Sequence, residues 1–274
     1  MRIAILASGS GGNAVVVEAG GTRALFDCGV TVRQLERRLG AIGLAATELD
    51  ALFLSHEHID HVRGTELLLR RRPLQVLATA GTLAAMPWKP GGAEVLVSGR
   101  ETAVGELRVT PLATSHDARE PVGFVVRHAS VRVGLVTDTG CISAALLEAL
   151  SGCDILLLEA NHDPDMLRFG AYPWPLKQRI ASDAGHLSNT QAQVAVERLA
   201  HPGLRMVVGM HLSRENNRPE LARRELERPL VGGDVRVLAA TQDDPLVVSA
   251  KDGPRSGGPL ALFDGEPAAA ADTP

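Results

Sequence analysis

SHEHIDH, residues 55–61, places three histidines, a glutamate and an aspartate in seven positions directly behind the apolar run Ala51-Leu52-Phe53-Leu54. A strand that is apolar on both faces is a covered, central one, so its end is a rigid platform and the polar cluster stands at the rim of the core. From an extended segment His56 and His58 point the same way, and Asp60 and His61 open the following helix and face back toward them. Packed as uncharged core, these side chains would leave many donors and acceptors to satisfy. A cation satisfies them together, and neutral imidazole and carboxylate are its usual ligands. The plain alternative, a solvated polar loop, suits one histidine better than four metal-capable groups in six residues.

One cluster cannot close two coordination shells, and the remaining ligands are sought at other strand ends. His116 lies in LATSHDA behind the run Leu107 to Leu112, Asp138 in GLVTDTG behind Val131 to Val136, and His211 in VVGMHLS behind Met206 to Gly209. Any one alone reads as a capped or hydrogen-bonded structural residue. The order HxHxDH, His, Asp, His changes that reading.

The rest of the chain is an ordinary globular sequence: 274 residues, 45% hydrophobic and 22% charged, which excludes a mostly disordered or fibrous protein. No apolar run approaches the roughly 18 residues of a membrane span. The opening MRIAILASGSGG is too short in its apolar part for a signal peptide, so a cytoplasmic protein without membrane association is expected. Three cysteines, Cys28, Cys141 and Cys153, are odd in number and lack CxxC spacing, which reads as buried free thiols. The formal charge of −4 gives no bulk support for nucleic-acid binding, which a local groove would have to supply. From Asp252 onward the chain is rich in Gly, Pro and Ala without a helical or strand period, so residues 1–251 are expected to form one domain and 252–274 a loose tail.

Strand-length apolar runs recur at Ile3 to Ala7, Ala14 to Glu18, Ala24 to Asp27, Gln75 to Ala78, Glu94 to Val97, Gly123 to Val126 and Ile155 to Leu158, besides those already named. Helical spacing predicts helices over Val32 to Leu39, Gly64 to Arg71, Ser143 to Leu150, Leu176 to Ser182 and Thr190 to Leu199, the last started by the capping pattern SNTQ at 188–191. A hairpin-rich first half and an alternating second half predict an α/β fold of four layers, an αββα sandwich.

The ordered ligand set resembles the metallo-β-lactamase superfamily over nearly the whole chain to about residue 250. The resemblance implies that αββα sandwich with a two-metal site at one edge: His56, His58 and His116 on one ion, Asp60, His61 and His211 on the other, Asp138 bridging, and Asp27 of LFDCG supporting from behind. Asp138 stands where the best-known β-lactamases have cysteine, which resembles the branch acting on phosphodiesters and thioesters. ASGSGGN (7–13), EANHD (159–163), YPWPLKQRI (172–180), GHLSN (185–189) and HLSRENN (211–217) together resemble the small YycJ/WalJ-type nucleases, implying a 5′-to-3′ exodeoxyribonuclease acting on DNA 5′ ends. No inserted β-CASP domain is present.

Two such ions, zinc, manganese or iron with this His/carboxylate set, would hold a bridging hydroxide in line with a phosphorus, with Asp60 among the catalytic groups. The Gly-rich turn carrying Ser8, Ser10 and Asn13 reads equally as a phosphate cradle or a tight turn. His162 and His186 are placed near the reacting phosphate by the resemblance, His186 as acid for the leaving oxygen. Lys177 and Arg179 follow Trp174 in PWPLKQR; the indole reads by default as core, and alternatively as a base-stacking platform with the two cations holding the substrate backbone. The run Arg70 to Arg72 suits a helix C-terminus. Competing readings are a glyoxalase II-like thioesterase or small cyclic-nucleotide phosphodiesterase, and, in another class, a catalytically silent metal-binding interaction module.

Overall fold

The structure is a computed structural model that describes residues 1–251; the expected tail from Asp252 lies outside them. Among the described residues two sheets of seven strands face each other. The first contains β1 (Arg2–Ala7), β2 (Ala14–Ala19), β3 (Thr22–Phe26), β4 (Ala51–Phe53), β5 (Gln75–Thr79) and β6 (Glu94–Leu96). The second contains β7 (Thr102–Val104), β8 (Leu107–Ala113), β9 (Val122–His128), β10 (Val131–Val136), β11 (Ile155–Glu159), β12 (Met206–Met210) and β13 (Arg236–Ala239), and β14 (Leu246–Ser249) returns to pair with β1. The helices are α1 (Val32–Ala41), α2 (Ile59–Val62), α3 (Thr65–Arg71), α4 (Ala80–Ala85), α5 (Ala144–Leu150), α6 (Pro164–Phe169), α7 (Trp174–Ile180), α8 (Asn189–Leu199) and α9 (Pro219–Glu227).

The pleat sorts side chains into three apolar layers. Ile3, Ile5, Phe26 and Phe53 of the first sheet meet Val109, Phe124, Leu135 and Leu157 of the second between the sheets. Phe26 and Phe53 stack at 4.9 Å with Phe124 edge-on at 5.1 and 5.9 Å, an arrangement worth about 0.5–1.5 kcal/mol per pair beyond burial. The alternate residues, Ala4, Leu6, Leu25 and Leu52, pack under Leu35, Leu39 and Leu68 of α1 and α3. On the far side Leu156, Leu158 and Val207 pack under Leu146, Val196 and Leu226 of α5, α8 and α9. This is the expected αββα sandwich.

Strand direction places the site. β3 to β6 are parallel, and so are β10 to β13. Two antiparallel steps return β1 to the direction of β3 and β8 to that of β10. The C-terminal ends of β1, β3, β4, β8, β10, β11 and β12 therefore collect at one edge, where ligands of open α/β sheets bind.

The capping box of Ser188 and Gln191 forms as expected. β7, β13, β14, α4, α6 and α9 were not predicted; the strands among them are short, and Pro164 and Pro219 start their helices where a first-turn proline costs nothing. Cys28 and Cys153 are buried, whereas Cys141 is half-exposed. Trp174 corrects the core reading: it opens α7 and is 66% exposed. The arginine run has structural partners throughout: Arg70 pairs with Glu66 at 2.6 Å, Arg71 with Glu36, and Arg72 donates to the Leu49 carbonyl. No helix among the described residues is long and apolar enough to cross a membrane.

Candidate metal centre

The end of β4 and the first turn of α2 carry SHEHIDH, and every other chemical group arrives on a different strand end. Three of these residues, Asp27 (φ 60°), Asp138 (φ 55°) and His211 (φ 53°), sit in the left-handed region just past β3, β10 and β12. That conformation costs roughly 1–2 kcal/mol for a residue with a side chain, and such strain clusters at functional sites. It turns each side chain off its strand and into the gap between the sheets.

The imidazoles are oriented from outside. His61 Nδ1 lies 2.7 Å from Asp27 Oδ2, His116 Nδ1 3.0 Å from the Gly185 carbonyl, and His211 Nδ1 2.9 Å from Glu159 Oε1. All three partners can only accept, so each Nδ1 carries a proton and each Nε2 faces inward. His56 Nδ1 meets the Ser55 hydroxyl at 3.0 Å, leaving its buried Nε2 without a hydrogen-bond partner. Outer partners of this kind are what fix metal-ligating histidines.

Inside this ring the donors meet each other. His58 Nδ1 and His116 Nε2 are 3.3 Å apart, and His61 Nε2 is 3.0 Å from Asp138 Oδ2. The Nε2 of His56 and of His211 and the Oδ2 of Asp138 are buried without a hydrogen-bond partner. Donor atoms crowded this closely at one point are what a cation collects, and a 3.3 Å separation is roughly the edge of a tetrahedron with metal–nitrogen bonds near 2.0–2.1 Å. The residues therefore fit a divalent metal. Ligand atoms of His56, His58 and His116 lie within 4.8 Å of one another, and so do those of Asp60, His61 and His211 and of His56, His61 and Asp138.

The electrostatics agree. Burial pushes His61 and His211 down, but Asp138 and the other carboxylates outweigh it; His61 rises well above its ordinary value and His211 to about 10. Asp138, penalised by burial, is nonetheless held well below the usual carboxylate range by His211 and His61. Protons on these imidazoles thus balance the carboxylate charge that a metal would take over, so loading releases protons. His56, burdened by burial and by His61, is pushed down and stays a neutral donor.

One central residue was missed. Glu159, fully buried at the end of β11, accepts from His186 Nδ1 and His211 Nδ1, each at 2.9 Å, and from the amides of Thr139 and Leu187. Burial raises it, but His186 and these hydrogen bonds prevail and lower it to about 2. Its signal in the sequence is a carboxylate directly behind ILLL, where the apolar run ends at Leu158 but the strand continues by one residue. His186 is raised, with Glu159 overcoming burial, and its Nδ1 lies 3.6 Å from Asp138 Oδ1.

The expected substrate contacts divide. Ser10, Arg179, His116 and His186 line a cavity of about 270 Å³ at the centre, with Arg179 paired to Asp117 at 2.6 Å. Ser8 is buried and accepts from the His211 amide, and Asn13 accepts from the Gly9 amide while its Nδ2 reaches His61 Nε2 at 3.1 Å. The Gly11 amide is taken by Gln242. The Gly-rich turn is thus tied down by its own chain, leaving Ser10 facing the cavity. Gly29 lets the turn and the SHEHIDH loop meet, since a Cβ there would stand 1.6 Å from the Asp60 carbonyl and 2.7 Å from the Asn13 amide nitrogen. His162 and Lys177 line a different cavity, and Lys177 Nζ donates to the carbonyls of Arg168 and Gly170.

The profile of the beta-lactamase superfamily domain matches residues 22–212. Exodeoxyribonuclease YycJ of Bacillus anthracis is 32% identical over 235 residues, covering 84% of this chain and 89% of that protein. Exodeoxyribonuclease WalJ of Streptococcus pneumoniae is 34% identical over 244 residues, covering 86% and 90%. The crystal structure of the metallo-beta-lactamase fold protein YhfI from Bacillus subtilis, 17% identical, superposes with a TM-score of 0.70 over 90% of this chain and 99% of that one, a likeness of fold.

Proposed function

This chain belongs to the beta-lactamase superfamily, in the family of the YycJ and WalJ nucleases, and from that premise we propose that it is a 5′-to-3′ exodeoxyribonuclease working with two divalent metal ions. It is a metal-dependent hydrolase of the nuclease and phosphodiesterase class; DNA, the 5′ end and the number of ions are the proposed particulars. The observation that carries the two-ion reading is Asp138, whose carboxylate stands between the Nε2 atoms of His61 and His116, one from each proposed ligand set, at 3.0 and 3.8 Å. His56, His58 and His116 would hold one ion, Asp60, His61 and His211 the other, and Asp138 both. The His/carboxylate set suits zinc, manganese or iron. Residues 1–251 are read as one catalytic unit, because both sheets contribute to the centre.

Bound divalent ions supply Lewis acidity toward phosphoryl oxygens and lower the pKa of a water from ~15.7 to roughly 7. The chain's own groups do the rest. Asp60, its carboxyl lowered as His211 and His61 outweigh burial, is half-buried with Oδ2 3.6 Å from His211 Nε2, placed to accept a proton from the attacking water. His186, whose Nδ1–H is given to Glu159, presents Nε2 to the cavity as the proton donor to the leaving oxygen. Ser10 offers a hydroxyl and Arg179 a guanidinium to the substrate phosphates. The DNA end is supported by the names of the Bacillus anthracis and Streptococcus pneumoniae relatives.

The test is incubation of the purified protein and manganese with DNA labelled at either end, with bis-p-nitrophenyl phosphate and with S-lactoylglutathione. A 5′ label released as mononucleotide, lost on chelation and restored by metal, is the expected outcome. Cleavage of the thioester alone overturns the nuclease reading.

A further inference from the structure

Helix α7 has a cavity on each side. Tyr172, Leu176, Arg179 and Ile180 line the metal-centre cavity, while Trp174, Lys177, Gln178 and Ala181 line a second one of about 640 Å³. Each set follows helical spacing, and the two are offset by two residues, about 200° at 3.6 residues per turn, so they are opposite faces of one helix. The far walls of the second cavity are Pro164, Leu167 and Arg168 of α6, with His162 and Ser188 at its inner end.

His162 is the clue to its occupant. It is 3% exposed, and its buried Nδ1 has no hydrogen-bond partner among the described residues, although buried polar atoms are normally paired. Beside it stand an exposed indole, an apolar floor of Pro164 and Leu167, and the exposed guanidinium of Arg168, which lies 5.2 Å over the Phe169 ring and has no carboxylate partner among the described residues. An aromatic face, an apolar floor, a polar atom at the inner end and a cation at the mouth are the parts of a nucleoside site. The volume falls within the range of small-ligand pockets, roughly 300–1,000 Å³.

Resting on the nuclease reading above, we propose that this second cavity holds a nucleobase of the substrate strand, stacked on Trp174 with its edge or sugar hydroxyl against the His162 imidazole, and that Arg168 takes the adjoining phosphate. Burial keeps His162 low, at about 4, so the imidazole lining the cavity is neutral and suits an uncharged base edge. The two cavities are separated by the width of a helix, about 10–12 Å, which a stacked strand at 3.4 Å per nucleotide spans in about three steps. Removal of single nucleotides from a 5′ end leaves only one nucleotide on the departing side. The bound base therefore lies about three nucleotides along the retained strand, unpaired from its complement.

Trp88→Phe leaves Trp174 as the sole tryptophan. With the metal-loaded protein, a 5′-phosphorylated hexanucleotide carrying cleavage-resistant phosphorothioate linkages should quench Trp174 emission saturably, and abasic sugars at its third to fifth positions should remove the quench. In parallel, Trp174→Ala should lower kcat/KM on an ordinary single-stranded hexanucleotide about tenfold to a hundredfold, mostly through KM, with Trp174→Phe recovering most of it. The loss on bis-p-nitrophenyl phosphate, which is too small to reach the second cavity, should be at least tenfold less. DNA cleavage by the wild type with equal Trp174→Ala losses on both substrates, or quenching indifferent to the abasic sugars, overturns the second cavity alone. A wild type that cleaves no DNA overturns the nuclease reading and the base site with it.

Discussion

The two sheets build the candidate metal centre in opposite ways. The first supplies His56, His58, Asp60 and His61 from one loop behind β4, with Asp27 and Ser55 directly beneath: the Ser55 amide and hydroxyl both donate to Asp27, which also holds His61. The second sheet supplies His116, Asp138, Glu159 and His211 one per strand end, and these are brought together only by the register of the sheet, parallel from β10 to β12 and antiparallel through β9 for β8. A contiguous half can be assembled locally; a dispersed half is as accurate as the whole sheet. Glu159 answers that demand, because one buried carboxylate ties β11 to His211, to His186 and to the backbone at Thr139 and Leu187.

The sharpest way to break the contrast is at the residue where the halves meet. Asp138→Asn should lower phosphodiesterase kcat/KM by about a thousandfold, the equivalent of several kcal/mol of lost charge stabilisation, and elemental analysis should find less metal per chain. Retention of full metal and activity would remove Asp138 from its bridging place. Next come the outer carboxylates, whose loss typically costs 10–100-fold in metal affinity or activity. Glu159→Gln should fall near the upper end, because it orients two imidazoles, and Asp27→Asn near the lower, because Ser55 remains to hold His56 and His61. Metal titrations that rank the two the other way would show that the dispersed half does not depend on its central carboxylate.

A third effect separates the halves by pH. Glu159 is lowered from 4.5 to about 2 in the fold, so it contributes stability that is fully present above pH 4.5 and disappears as pH falls through about 2. The melting temperature of metal-free protein should drop across that window, and in Glu159→Gln the drop should be shallower. Smallest of all, Arg70→Ala should change stability by no more than about 0.5 kcal/mol and leave the salt dependence of DNA binding as it was, since the 2.6 Å Glu66–Arg70 pair is an exposed surface contact. A weakened salt slope would make the arginine run part of a DNA path.

The same contrast explains what the sequence disclosed. SHEHIDH was legible because its chemistry and its platform are adjacent, and His116, Asp138 and His211 because each follows a long apolar run. Glu159 was not, because a charged residue marks the end of an apolar run, whereas strand β11 includes it as its last member. β7, β13 and β14 are three or four residues long, too short to show a period. Trp174 misled for a different reason: an indole is core by habit, and only the placement of α7 between two cavities turns it outward.

The left-handed backbone at Asp27, Asp138 and His211 has a consequence for anyone altering this edge. Aspartate, asparagine and histidine are the non-glycine residues most often found there, so chemistry and geometry narrow the permitted alphabet to nearly the same letters. An alanine at these positions adds conformational cost to chemical loss, and a scan with alanine would overstate what the side chains do. Asparagine keeps the local shape while removing the charge, and a glycine in the same place would disclose how much of the lost function was only the chain's refusal to bend.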